Sequence, residues 1–248
     1  MIPYFAWSEI HLLGLTIYVW GIFVALGFLV GTFAAAWFAK KQNLDRKLIV
    51  DLAFWMIIAG IVGGRLGQLF YTPELLSHPL QILMIWQGGL SFFGGLIAAG
   101  ATAIAFLRFK RLPVLPYVEA LAFGLPFGEM IGRIGCFLIH DHPGKETTFF
   151  LGILYPDGIV RGDHGLYLVL TSAFLAVIFL MLLRIKDRPG LFVGLFALYE
   201  GCVRFLLDFN RVTDVRYIGF TPGQFASIAL AVAGGIVLWR IFKLKRIL

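Results

Sequence analysis

Long apolar runs without a polar face dominate the chain, each ended by charge or by glycine and proline. Runs long enough to cross a hydrocarbon core as helices, roughly 20 residues, cover 14–39, 48–70, 88–107, 114–139, 166–183, 190–209 and 221–242. A helix that is apolar on every side needs lipid or a large core around it. The pattern therefore predicts seven transmembrane helices in an all-α integral membrane protein, a single polytopic domain over 1–248. A shorter apolar piece at 80–86 is cut off by Gly88-Gly89, which predicts an interfacial or re-entrant segment ahead of the third helix. The longest link, 140–165, is the one stretch with room for an extramembrane arm.

Composition agrees with this class. The 248 residues are 60% hydrophobic and 14% charged, with a mean hydropathy of +0.88, far from a soluble globular domain. Most of the 21 basic residues fall in four clusters: Lys40, Lys41, Arg46 and Lys47; Arg108, Lys110 and Arg111; Arg184, Lys186 and Arg188; Arg240, Lys243, Lys245 and Arg246. All four clusters flank the same side of the predicted bundle, so the positive-inside rule puts the N-terminus outside and the C-terminus in the cytoplasm. The net charge of +7 then belongs to membrane topology and facing lipid, with nothing pointing to a nucleic-acid partner. The first residues lack a basic n-region and a small-residue cleavage site, so no removable signal peptide is expected. Cys136 and Cys202 lie in predicted helices and form no disulfide or metal pattern.

Three arginines lie inside the apolar runs: Arg65 in GIVGGRLGQLF, Arg133 in GEMIGRIGCFLI and Arg204 in YEGCVRFLLDF. A guanidinium keeps its proton and is costly in hydrocarbon, so each is a functional candidate. Each falls five or six residues before the outer end of its predicted helix, roughly 8–9 Å deep at 1.5 Å per residue. The expectation is one belt around an anionic group such as a phosphate. Glycines beside them, including Gly132 and Gly135, permit close helix approach or ligand contact with the backbone, and the GGRLG and GRIG motifs are expected to face one another. The competing explanation is internal ion pairing, since Glu129 and Arg133 are four residues apart, as are Glu200, Arg204 and Asp208. Glu119 and Asp51 lie nearer the inner side and read as helix-packing or capping residues.

The predicted topology puts all five histidines, His11, His78, His140, His142 and His164, outside. His140-Asp141-His142, directly after the fourth helix, is the tightest polar set; His140 is the candidate general base, with Asp141 or His142 in support, and His164 is a second candidate. Three consecutive residues rarely aim at one ion, so no metal is expected. Cys136 reads as a packing residue before a covalent relay, and Tyr18, Trp20 and Trp86 as an aromatic belt. No cofactor motif is present: GGRLGQ lacks the Lys and Ser/Thr of a phosphate loop.

The order of these motifs resembles the bacterial prolipoprotein diacylglyceryl transferase family: YVWGIFVALGF, GGRLGQLFYTP, WQGGLSFFGGLIAAG, PFGEMIGRIGCF, RGDHGLY, YEGCVRFLLDFNR and TPGQFASIALAVAGG. The resemblance implies transfer of the diacylglyceryl group of phosphatidylglycerol to the lipobox cysteine thiol of a prelipoprotein, with release of glycerol phosphate, at the outer face of a bacterial inner membrane. By position, Arg133 matches the family's signature arginine and Arg204 a second essential one. Arg65 matches the GGR arginine, Gly144 the glycine closing the signature, and Arg211 a further arginine near the outer surface. The resemblance implies phosphate stabilisation by Arg133 and Arg204 and substrate contact by Arg65, Gly144 and Arg211; the residues themselves add Gly132, Gly135 and His142 as candidate substrate contacts and His140 and Asp141 as candidate catalytic groups. The chain departs from the pattern at Phe93, where the family has His; at Cys136, where it has Asn; at Trp20, where a Tyr is usual; and at Ile139-His140-Asp141 in place of Asn-Gly-Glu. Those losses leave two alternatives open: a paralogous transferase with another headgroup or acceptor, and a non-catalytic protein that binds or moves anionic lipid.

Overall fold

In a computed structural model of the chain, residues 1–12, 15–77, 80–81, 84, 89–184, 189–212 and 214–244 are described. Among them run seven long helices: α1 (Val19–Lys41), α2 (Arg46–Gln68), α3 (Phe92–Phe109), α4 (Val114–Ile139), α5 (His164–Leu182), α6 (Leu191–Leu207) and α7 (Pro222–Leu244). All but α6 are long and apolar enough to cross a membrane, and the chain is a multi-pass membrane protein. The 17-residue α6 carries buried Glu200 and Arg204, and a 3₁₀ turn, Asp208–Asn210, continues it. The segment expected at 80–86 lies largely outside the described residues, as do His78, Trp86 and the start of the first expected helix.

The first helix begins later than its apolar run. Glu9–Leu12 (β2) and Leu15–Tyr18 (β3) form an antiparallel hairpin, with Ile10 opposite Ile17 and His11 opposite Thr16. Thr16, Ile17 and Tyr18 are β-branched or aromatic and suit a strand. The 140–165 arm is also a sheet. Pro143–Glu146 (β4), Ile153–Leu154 (β5) and Val160–Asp163 (β6) join Ile2–Pro3 (β1) in the order β1-β5-β6-β4, with β1 parallel to β5 and the other pairs antiparallel.

Glycines decide which helices meet. In α1, Gly27 and Gly31 lie against Gly124, Gly128 and Gly132 of α4, where a Cβ on Gly124 would stand 2.3 Å from the Gly31 carbonyl oxygen. Gly63 and Gly67 of α2 meet Gly94 of α3, and Gly201 and Gly234 bring α6 and α7 together. The GGRLG and GRIG motifs therefore do not face one another: the first packs on α3, and Gly135 of the second packs on Trp20 and Phe23 of α1. Small residues permit backbone approach but carry no label for the partner.

The apolar core fills the half of the bundle away from the sheet, around Phe38, Phe123, Phe179 and Phe192; the Phe38 and Phe123 rings stack at 4.6 Å. Glu119 caps the start of α6, its carboxylate accepting from the Phe192 and Val193 amides at 2.8 and 3.1 Å. The half next to the sheet holds the other buried charges among the described residues.

Replacing Gly124 by Ala should therefore lower stability by about 1–3 kcal/mol through overpacking. Gly100→Ala, with nothing within 4 Å of its added Cβ, should leave the melting temperature of the detergent-solubilised protein unchanged or higher.

Candidate active site

The buried charges begin with Arg204. It is 5% exposed on α6 and donates from Nε to Glu200, one turn back, and from Nη2 to Glu129 of α4. Arg133 stands one turn beyond Glu129, with Nε 3.6 Å from the same Glu129 oxygen and Nη1 donating to Cys136 Sγ at 3.7 Å. The Phe92 ring of α3 covers both guanidinium groups, 3.9 Å from Arg204 Cζ and 5.9 Å from Arg133 Cζ. Two of the three predicted arginines thus meet over one carboxylate and one ring. Arg133 is the more exposed of the two, and its neighbour Gly132 has open space where a Cβ would point.

Arg65 is elsewhere. Its guanidinium donates to the backbone carbonyls of Gln81 at 2.5 Å, Met84 at 3.1 Å and Gly89 at 3.0 Å. It braces the chain leading into α3, while Arg133 and Arg204 share Glu129. Carbonyls in irregular backbone need donors, and a fork of N–H groups supplies several at once. The Ser91 amide bonds the Gly64 carbonyl at 2.9 Å, which fixes the same junction and hence the position of Phe92.

His140, the candidate base, is shut in. It is 6% exposed; Nδ1 lies 2.7 Å from Asp163 Oδ2 and Nε2 2.8 Å from the Phe5 carbonyl oxygen. It closes α4 in a left-handed conformation with φ 50°, which turns its ring under the sheet among Tyr4, Phe5 and Tyr155. With both nitrogens engaged it has no free nitrogen to take a thiol proton, and its contacts staple the N-terminal segment to the sheet. Asp163 also caps α5 by accepting from the Leu166 amide at 2.8 Å. Burial, then the Asp163 carboxylate, pushes the nearby Tyr155 phenol above its ordinary range.

Asp141 and His142 stay at the site's edge, partly exposed and paired through Asp141 Oδ1 and His142 Nδ1 at 2.6 Å. The His142 ring is 6.3 Å from that of His164, which opens α5 and is 2% exposed. Neither ring nitrogen of His164 has a hydrogen-bond partner among the described residues, a condition that costs about 1–3 kcal/mol for a buried polar group. Its Nε2 is 3.9 Å from Asp208 Oδ1. Asp208 is 3% exposed and accepts from Thr221 Oγ1 at 2.6 Å. Arg211 pairs with Asp214 at 3.0 Å and lies 3.9 Å from Asp208.

Gly135 and Gly144, predicted to touch substrate, are packing positions. A Cβ on Gly135 would meet Phe23 at 2.8 Å, and one on Gly144 would meet the Asn210 side chain at 2.4 Å. Asn210 also accepts from the Lys145 amide at 3.1 Å, and Gly144 bridges to Arg211, so the arm is held against the end of α6. Reasoning from sequence missed Asn210, Phe92 and Tyr71. Burial, then Asp208, pushes the Tyr71 phenol up to about 12, so it is a proton donor across the ordinary pH range.

The profile of the prolipoprotein diacylglyceryl transferase family matches residues 8–240. The chain belongs to that family. Similar proteins include the phosphatidylglycerol–prolipoprotein diacylglyceryl transferase of Methylocella silvestris, 34% identical over 81% of this chain and 78% of that protein. The transferases of the same name from Janthinobacterium sp. and Paracidovorax citrulli are each 33% identical, over 85% and 93% of this chain and 81% and 90% of their own lengths.

His140→Ala should lower unfolding stability by about 2–4 kcal/mol, because it strands Asp163 Oδ2 and the Phe5 carbonyl in a buried place. Asp141→Asn, at a partly exposed pair, should stay within about 0.5 kcal/mol of the parent protein. Thermal melts of the two variants in one detergent check the contrast.

Proposed function

We propose that the chain transfers the diacylglyceryl group of phosphatidylglycerol to the lipobox cysteine thiol of prelipoproteins and releases glycerol phosphate. Family membership across 8–240 carries the reading, and the relatives' names supply both substrates. The Arg133–Arg204 pair, with open space beside Gly132, supports it from the structure.

The proposed setting is a bacterial inner membrane crossed seven times by one polytopic domain. The described residues of the four basic clusters lie at the helix ends away from the sheet, which supports a cytoplasmic assignment for that end. The N-terminus and the 140–165 arm then lie on the outer side, where lipid headgroup and prelipoprotein are both in reach.

In the proposed step a thiolate attacks the glyceryl C3 carbon. A C–S bond forms as the C–O bond to phosphate breaks, and the electron pair leaves with a phosphate monoester. Charge grows on that leaving group, so fixed positive charge beside it lowers the barrier. Arg133, less enclosed and bound to only one carboxylate oxygen, faces the phosphate, while Arg204 adds its field from behind. The thiol proton is taken up at the sheet-facing end, where Asp141, His142 and His164 gather.

Phe93 favours a second reading. Where the family pattern has an imidazole, this chain has an 8% exposed phenyl ring packed edge-on against Phe92 at 5.2 Å. An apolar wall there suits a related transferase with another anionic headgroup or acceptor.

The wild-type gene should restore lipoprotein maturation in a bacterial strain depleted of its own transferase, and lipid mass spectrometry should show phosphatidylglycerol consumed. Arg133→Ala should lower thioether formation by about 10²-fold or more, on the order of 3 kcal/mol in the transition state. Wild-type turnover in that variant, or complementation failure with another lipid consumed, would move the assignment to the second reading.

A further inference from the structure

We infer that His164, oriented by Asp208, is the general base that takes the proton from the acceptor thiol. The inference rests on the transfer reading and names the residue that does what Phe93 cannot. Three observations carry it. The first is that His164 is 2% exposed with both ring nitrogens unpartnered among the described residues; buried polar groups are otherwise almost always satisfied, and an exception calls for an explanation such as a catalytic role. The second is place: the adjoining Gly165 packs on Cys136 and Phe137, the turn of α4 after Arg133, and the ring faces Asp208, one turn after Arg204 on α6. A thiol attacking the carbon next to the leaving phosphate must come to the same spot. The third is orientation. Asp208 Oδ1 faces Nε2 at 3.9 Å, and Asp208 is itself fixed through its other oxygen by Thr221. That leaves Nδ1 as the nitrogen free to accept a proton, in the general logic of an imidazole positioned by a buried carboxylate.

The other imidazoles fit less well. His140 has both nitrogens bound, and the Nδ1 of His142 is held by Asp141 at the partly exposed edge. The step balances without a further reactant. The S–H proton moves to His164 Nδ1, and the sulfur lone pair forms the C–S bond as the C–O pair leaves on phosphate. The imidazolium then returns its proton to the released phosphate monoester, or to solvent by way of the His142 ring 6.3 Å away. The groups facing His164 are Asp208 and Arg204 from the end of α6, Arg211 beyond it, Arg133 from α4 and His142 from the start of the arm.

The test uses the full-length protein in phosphatidylglycerol vesicles with a synthetic lipobox peptide carrying either cysteine or selenocysteine. A selenol is ionised at neutral pH and needs no base. His164→Asn should lose about 10²-fold or more with the cysteine peptide, yet stay within about tenfold of wild type with the selenocysteine peptide. Its remaining cysteine rate should climb with pH through the thiol's own range, near about 8.5. Equal loss on both peptides, or no loss on either, overturns the assignment. A His142→Asn variant that alone shows selenocysteine rescue would overturn it in favour of His142. Should His164→Asn not fold, the wild type still decides: its rate must fall with acid more steeply for cysteine than for selenocysteine, and parallel profiles would refute a base. A wild type that makes no thioether with either peptide overturns the transfer reading, and this inference with it, whereas an active wild type beside an unaffected variant overturns this inference alone.

Discussion

A guanidinium cannot be held in the apolar middle of a helical bundle without opposite charge, and the arrangement of the polar half follows from meeting that need at Arg204. Glu200 meets it along α6 and Glu129 meets it across from α4, so a single ion pair network joins two helices that are far apart in the chain. Removing any partner would leave an uncompensated charge where burial is expensive. Because Glu129 is shared, Arg133 is drawn to the same place, and because both arginines need a cover, Phe92 of α3 lies over them. The position of Phe92 depends in turn on Arg65, whose carbonyl contacts hold the chain entering α3. The arginines thus divide the labour: Arg65 shapes the backbone, Arg204 is neutralised within the frame, and Arg133 is the less enclosed of the pair.

The helices were legible because apolar runs of membrane length have few other solutions. The 114–139 run became a helix over the same residues, and the others moved by only a few positions except at the N-terminus. What could not be read there was the β2–β3 hairpin, whose residues are as hydrophobic as the helix they precede; hydropathy alone does not separate the two. The four-stranded sheet was hidden for another reason. Its strands are two to four residues long and one of them comes from the other end of the chain, so no local pattern announces it. The glycines were legible as sites of close approach, but their partners were a matter of topology.

At the site, sequence spacing anticipated the Glu129, Arg133, Glu200 and Arg204 contacts because i,i+4 geometry is local. It could not separate four neighbouring polar residues by depth. His140, Asp141, His142 and His164 share a predicted side of the bundle and a polar character, yet His140 is enclosed, Asp141 and His142 are at the edge, and His164 is buried without a partner. The left-handed turn at His140 makes this difference, and a non-glycine residue in that conformation gives little warning in one sequence. Phe93 and Cys136 were visible as departures, but their meaning depends on which imidazole stands near the arginines instead.

The parallel pairing of Ile2–Pro3 with Ile153–Leu154, reinforced by the Phe5 carbonyl on His140, also bears on how the protein is made. Residues 2–5 have no sheet to join until the four helices that follow them have been inserted and the arm has been made. Assembly of this face therefore has to wait for a later event in synthesis, and through that interval the apolar side chains of the segment lack the packing that the sheet gives them.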